Sequence, residues 1–328
     1  MLKSSSLKTL SLLKKPSNQP RQHGIATQVL RTDWMPNRGQ GQPLAVAQLR
    51  ATLKRNRSFQ DDAMATRHPH TGQPSPTHSA LELRALLELG LLPWSLPILL
   101  NAPVGDGHPV LLLPGFMGSE STMIGLQLFL RNRGYAVESW GLGRNVGFHA
   151  KHANALEQKI RHLHHQTGRK VSLVGWSLGG VFAVFGAHQV PECVRSVITL
   201  GSPVSVDPQG SASPPLVRAM YRLVAHPLGP AAHSMQPHAK KLRERQLLSM
   251  PLSCLYSLGD GVVPPQEATV NGDPALHENV QVPGSHVGLG FNAVVLWIVA
   301  DRLAQPEGQW RPFEPSGALG YAYRLLTQ

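Results

Sequence analysis

Apolar residues along the chain gather into short runs separated by longer stretches of mixed polarity. Pro109–Leu113, Tyr135–Trp140, Lys170–Val174, Val194–Leu200, Leu252–Leu258 and Asn279–Val282 have the length and composition of buried strands. Between them, Ser121–Arg131, His149–Thr167, Val181–His188 and Phe291–Leu303 read as helices. Strand and helix alternate, which predicts an α/β architecture with a mostly parallel sheet covered on both faces. Upstream, Ser79 with Glu82 three residues on has the form of a capping box. Leu81, Leu83, Leu86, Leu87, Leu89, Leu91 and Leu92 follow, and past Pro93 come Trp94, Leu96, Ile98, Leu99 and Leu100. So apolar a helix is expected to pack on the domain; a monotopic membrane or substrate-entry patch is the competing expectation.

Two stretches break the pattern. Residues 1–78 show no sustained periodicity beyond one short helix at Leu44–Leu53, and segments such as Pro36–Pro43 and His68–Pro76 read as linkers. The whole is expected to be a flexible, disordered basic extension preceding a domain at 79–328. Residues 204–250 interrupt the strand–helix rhythm with prolines and the basic run Lys240–Arg245, and are expected to form a cap or lid insertion.

Charge divides along the same boundary. Of the net +12, residues 1–79 hold 12 Lys/Arg against 3 Asp/Glu, so the remainder is nearly balanced. The extension lacks interleaved aromatics or a recognition motif, and no nucleic-acid partner is expected. Its basic, Ser-rich, acid-poor composition also resembles an organelle leader, but no secretory h-region stands out, and a cytoplasmic location is the first expectation. No run of about twenty apolar residues predicts a membrane-spanning helix. The two cysteines, Cys193 and Cys254, are expected to be buried free thiols. Five histidines between His149 and His165 suggest a metal only superficially, since no carboxylate or cysteine is spaced to match; a solvated face is expected and no metal is assigned. The glycines at 141, 143 and 147 miss the dinucleotide spacing, so no nucleotide or other cofactor is implied.

The chemistry is carried by Gly175-Trp176-Ser177-Leu178-Gly179-Gly180, set between a strand and a helix. That is the context of a nucleophile elbow: glycines two residues either side of the serine permit a turn too tight for a Cβ. A serine hydroxyl needs a base within hydrogen-bond reach, itself oriented by a carboxylate. Asp260 and His286 each directly follow a strand, at the carboxyl edge where Ser177 emerges. Asp207 and Asp273 compete for the acid's role, but Asp207 lies beyond Pro203, farther from its strand. An oxyanion needs two donors: the N–H of Leu178, directly after the nucleophile, and the N–H of Phe116, after Gly115 in the loop following the first strand.

Four segments together resemble the α/β-hydrolase superfamily, and within it the bacterial triacylglycerol-lipase and esterase-like branch. They are Leu113–Gly118, Gly175–Gly180, Ser257–Pro264 and Gly284–Leu289, and they span about residues 108–304. The resemblance implies an acyl-enzyme on Ser177, with His286 as base and then acid and Asp260 behind it. Where lipases commonly carry His-Gly before the oxyanion residue, this chain has Pro114-Gly115. The expected function is hydrolysis of carboxylic, lipid-like esters, with peripheral membrane contact. The alternatives are acyl transfer by the same residues, or a non-catalytic protein of this fold binding an apolar ligand or partner.

Overall fold

The structure is a computed structural model and describes residues 81–147, 150–205 and 248–327. The expectations for residues 1–78, for most of the 204–250 insertion, and for Ser79, His149 and Asp207 lie outside the described residues.

Six strands are described: β1 (Pro109–Leu113), β2 (Ala136–Ser139), β3 (Val171–Trp176), β4 (Val194–Leu200), β5 (Leu252–Tyr256) and β6 (His277–Gln281). They form one sheet in the order β2-β1-β3-β4-β5-β6, and every pairing is parallel. Parallel strands need crossovers, and these bring helices to both faces. In chain order the helices are α1 (Ala85–Leu91), α2 (Leu96–Leu100), α3 (Ile124–Asn132), α4 (Ala150–Thr167), α5 (Leu178–Gln189), the single turn α6 (Pro265–Ala268), α7 (Ala293–Leu303) and α8 (Gly317–Thr327).

Alternate side chains of the central strands feed two cores. Leu111, Leu113 and Leu173 pack with Leu156 and Ile160 of α4 and Phe182 of α5. Val110, Leu112, Val174 and Ile198 pack on the other face with Leu126 and Leu130 of α3 and Val295 and Val299 of α7. Because both faces are covered, β1 and the first five residues of β3 are buried throughout, which accounts for their apolar character, broken in β3 only by the hydrogen-bonded Ser172. Helix α5 is buried along nearly its whole length, so it carries no polar stripe.

Two features depart from the sequence expectation. The C-terminal α8 was not legible as a helix; Tyr323 holds it to the domain, its hydroxyl donating to the Gln281 carbonyl at 2.6 Å and its ring packing edge-on to Phe313. The leucine-rich helix does pack on the domain, but through its polar side. A 3-10 turn, Leu81–Arg84, runs into α1, and Glu82, Arg84, Ala85 and Glu88 face inward while Leu83, Leu86, Leu87, Leu89 and Leu91 are 50–76% exposed. The carboxylate of Glu82 is used on loops far along the chain, as described below.

Candidate active site

Ser177 ends the turn between β3 and α5 with φ +54°, in the left-handed region that a non-glycine residue enters only under constraint. Its N–H donates to the Leu200 carbonyl at 2.8 Å, which ties the elbow to β4. A Cβ on Gly179 would run into the backbone of Leu113 and Pro114, so only glycine lets α5 start this close to β1. Leu178 opens α5, where first-turn N–H groups concentrate positive partial charge.

The structure brings Ser177, His286 and Asp260 into one hydrogen-bonded line. His286 Nε2 lies 3.0 Å from Ser177 Oγ, and His286 Nδ1 lies 2.7 Å from Asp260 Oδ2. An ionised Asp260 can only accept, so the proton sits on Nδ1 and Nε2 is left to accept from the hydroxyl. Asp260 is 4% exposed, and its other oxygen accepts from the N–H groups of Val262 (2.8 Å) and Val263 (2.7 Å). That leaves the carboxylate one orientation. Burial works against charge on His286, but the adjacent Asp260 carboxylate, and after it Glu82, outweigh burial and hold the ring's pKa above its ordinary value. Gly201, at the end of β4, lies under this pair at φ +52°. A Cβ there would be 2.6 Å from Leu289, 2.8 Å from Asp260 Oδ2 and 3.2 Å from His286 Nδ1. Asp273 instead accepts from the Ala275 N–H in the turn before β6.

The loop after β1 stands beside the serine: a Cβ added to Gly115 would come within 3.1 Å of Ser177 Cβ. Phe116, the next residue, packs its half-buried ring on the core that contains Leu178 and Phe182. Asn145 sets this loop. Fully buried, it donates from Nδ2 to the Pro114 carbonyl (2.7 Å), accepts from the Met117 N–H (2.7 Å) and donates its own N–H to Gly118 (2.8 Å). Met117 is held at φ +62°. Sequence reading passed over Asn145, which stands in a glycine-rich turn with nothing to mark it.

A second group invisible to the sequence sits on the other side of His286. Glu82 Oε1 accepts from the N–H of Gly261 (2.8 Å) and of His286 itself (3.0 Å), and Oε2 accepts from Val287 (3.0 Å). Glu88 accepts from the Ser285 N–H (2.8 Å) and from Asn292 Nδ2 (3.1 Å). Arg84 donates to the carbonyls of Gly259 (2.5 Å) and Gly284 (2.7 Å). Trp176 Nε1 donates to the His286 carbonyl at 3.1 Å.

The same three residue types line up once more, without the same consequences. His108 Nδ1 lies 2.5 Å from Asp106, and its Nε2 lies 2.8 Å from Ser172 Oγ. His108 and Ser172 have no exposed surface, and Ser172 lies within a regular strand. Burial pushes His108 down to about 4, against the pull of Asp106. This line ties β1 to β3; no substrate can reach it. The two cysteines are buried free thiols, and burial pushes Cys254 up to about 12, which excludes it as a nucleophile. Among the described residues no group of three or more His, Cys, Asp or Glu could hold a metal ion.

A parallel sheet in this order, with a strained serine between strand and helix and the acid and histidine after the last two strands, is an α/β-hydrolase fold. The serine hydrolase BPHL of Homo sapiens is 32% identical to the chain over 120 residues, which is 33% of this chain and 40% of that protein. Its counterpart in Mus musculus is 30% identical over 125 residues, again 33% of this chain and 40% of the relative. The chain therefore spans two fifths of the curated relatives it matches, and because these are mammalian they do not single out the bacterial branch. The crystal structure of Aspergillus fumigatus lipase B superposes with a TM-score of 0.49 at 16% identity, covering 62% of this chain and 54% of that one. No family model matches the chain.

Proposed function

We propose that the chain is a serine hydrolase of carboxylic esters with an apolar acyl group. The observation that carries this reading is the unbroken line from Ser177 Oγ through His286 to a buried Asp260, ending on a serine held at positive φ. As Oγ attacks the ester carbonyl, its proton passes to His286 Nε2, and Asp260 stabilises the imidazolium. The oxyanion is received by the N–H groups of Leu178 and Phe116. Collapse breaks the bond to the alcohol, which leaves with the proton from His286. Water then gives a proton to Nε2 as it attacks the acyl-enzyme, and Ser177 regains that proton as the acid departs.

The lipid-like substrate and peripheral membrane contact belong to the same proposal. Nine large apolar side chains between Leu83 and Leu100 are 49–83% exposed, Trp94 the most. Each forgoes, in proportion to its exposure, part of the roughly 1.5–3 kcal/mol that full burial would supply. A contiguous patch of this kind calls for an apolar surface to cover it. No helix among the described residues is long and apolar enough to cross a membrane; the bent pair Glu82–Leu91 and Pro93–Leu100, at 50° to each other, has the length and composition only when taken together. Contact is therefore read as lying on the lipid surface.

The test is hydrolysis of p-nitrophenyl esters of two to sixteen carbons, with Ser177→Ala alongside and fluorophosphonate labelling as a substrate-independent readout. Serine-dependent turnover that favours longer chains is expected. No turnover at any length together with no labelling of Ser177 refutes the proposal in favour of a binding protein. For the membrane contact, Leu87→Glu with Trp94→Glu is expected to abolish co-sedimentation with phosphatidylcholine/phosphatidylglycerol vesicles while the two-carbon ester is still cleaved. Unchanged sedimentation refutes it.

A further inference from the structure

We propose that Glu82 is a positioning residue for His286, and that with Arg84 and Glu88 it makes the turn entering α1 a brace that fixes the histidine and acid loops to each other. The inference rests on the reading of Ser177, His286 and Asp260 above and extends the machinery to a helix outside the segments that resemble hydrolases.

Three consecutive backbone N–H groups, of Ser285, His286 and Val287, point toward α1 and are taken by two carboxylates. An oxygen of Glu82 that accepts from His286 accepts also from Gly261, one residue past the acid. Arg84 repeats the arrangement with opposite polarity, donating from one nitrogen to Gly259 before the acid and to Gly284 before the histidine. Each loop is thus held on both sides of its reactive residue, by partners at least 175 positions away in the chain. Hydrogen bonds from backbone N–H to carboxylate are stronger than neutral ones, and a fork that spans two loops fixes their separation, on which the distance from His286 to Asp260 depends. Glu88 extends the grip to Asn292, whose side chain caps α7.

Structural bracing alone does not require an acid beside the imidazole. The described charged and titratable groups around His286 are Asp260 from the loop after β5 and Glu82 from the helix, with Arg84 and Glu88 behind Glu82; Ser177 and Trp176 face it from the β3–α5 turn. Glu82 therefore adds negative charge to the side of the ring's backbone and favours the imidazolium that forms when Ser177 loses its proton. Removing that charge lowers the pH at which His286 becomes the free base.

The test measures the rate of fluorophosphonate labelling of Ser177 against pH in the full chain, for the wild type, Glu82→Gln and Glu88→Gln, with thermal unfolding recorded for each. Glu82→Gln keeps the size and one acceptor oxygen but loses the charge. Its plateau rate is expected to fall roughly 10- to 100-fold, since displacing a reacting group by about 1 Å costs on that order, and its rising limb to move to lower pH. Glu88→Gln, which holds Ser285 and not His286, is expected to slow labelling with the limb unmoved. Wild-type labelling with Glu82→Gln at the same rate and the same limb overturns the inference. Should Glu82→Gln not fold, unchanged labelling in Glu88→Gln overturns the brace. A wild type that never labels refutes the underlying hydrolase reading instead.

Discussion

Replacing Asp260 with asparagine separates the acid's chemical role from its structural one. Oδ1 of Asp260 accepts two backbone N–H groups, from Val262 and Val263, and Oδ2 faces His286 Nδ1. An asparagine can sit two ways. With its NH₂ toward Val262 and Val263, two buried donors lose their acceptor, at about 1–3 kcal/mol each. With its oxygen there, both bonds survive and the NH₂ faces His286, so that orientation wins. Nδ1 must then accept, the ring proton moves to Nε2, and the atom facing Ser177 becomes a donor that cannot take the serine's proton. The expected loss in kcat is ~10⁴, about 5 kcal/mol in the barrier, as in the serine-protease template with the same change. Stability should stay near wild type, because the backbone contacts are retained. The assay is ester hydrolysis and labelling of Ser177, beside thermal unfolding. Activity within tenfold of wild type in a folded protein would falsify the orienting role of Asp260, and a comparable loss in Asp207→Asn instead would transfer that role to Asp207.

Other positions give independent checks. Gly201→Ala places a methyl 2.8 Å from Asp260 Oδ2 and 3.2 Å from His286 Nδ1 at a backbone angle of +52°; at least tenfold lower kcat is expected, with roughly 1–2 kcal/mol of destabilisation from the backbone alone, read by kinetics and denaturant melts. Asn145→Leu removes the donor to Pro114 and the acceptor for Gly147; kcat should drop with little change in KM if the Phe116 loop receives the oxyanion, by up to ~10²–10³. The rising limb of kcat/KM against pH should lie above the ordinary histidine value, because His286 must be neutral to act and its pKa is raised; a limb at or below that value contradicts the geometry. His108 has the opposite sign. With a folded pKa of about 4 against 6.5, the unfolded chain takes up the proton first as pH falls, so stability present above 6.5 should decline between 6.5 and 4, by about 3 kcal/mol in all. His108→Gln should flatten that decline and leave kcat/KM unchanged.

The sheet and the reactive line were legible because each leaves a local mark. Strands buried on both faces are continuous apolar runs, and the elbow needs glycines at fixed offsets from Ser177. Asp260 and His286 could be placed because in this fold order along the chain translates into position at the sheet's carboxyl edge. Asn145 left no such mark. Its value lies in reaching Pro114, Met117 and Gly118 across 27 to 31 positions, and a single asparagine in a glycine-rich turn has many uses. Helix α8 was missed because its two glycines weaken the local helical signal, and it is Tyr323 packing on Phe313 that holds the helix to the domain.

The leucine-rich helix shows a more general limit. Periodicity divides a helix into two faces but does not say which face is inward; that is ordinarily supplied by the assumption that leucine seeks the core. Here the assumption fails because the opposing surface is not apolar. What α1 and the turn before it meet is backbone: the N–H groups of Gly261, Ser285, His286 and Val287 and the carbonyls of Gly259 and Gly284. Leaving such groups unpaired costs about 1–3 kcal/mol each, and the charged side chains at 82, 84 and 88 reach all of them from nearly two turns of helix. Satisfying the loops therefore fixes the helix's rotation, and the rotation puts Leu83, Leu86 and Leu87 outward. The exposed apolar patch and the braced histidine are two consequences of one constraint, which ties the surface proposed to meet lipid to the loops that carry the reactive groups.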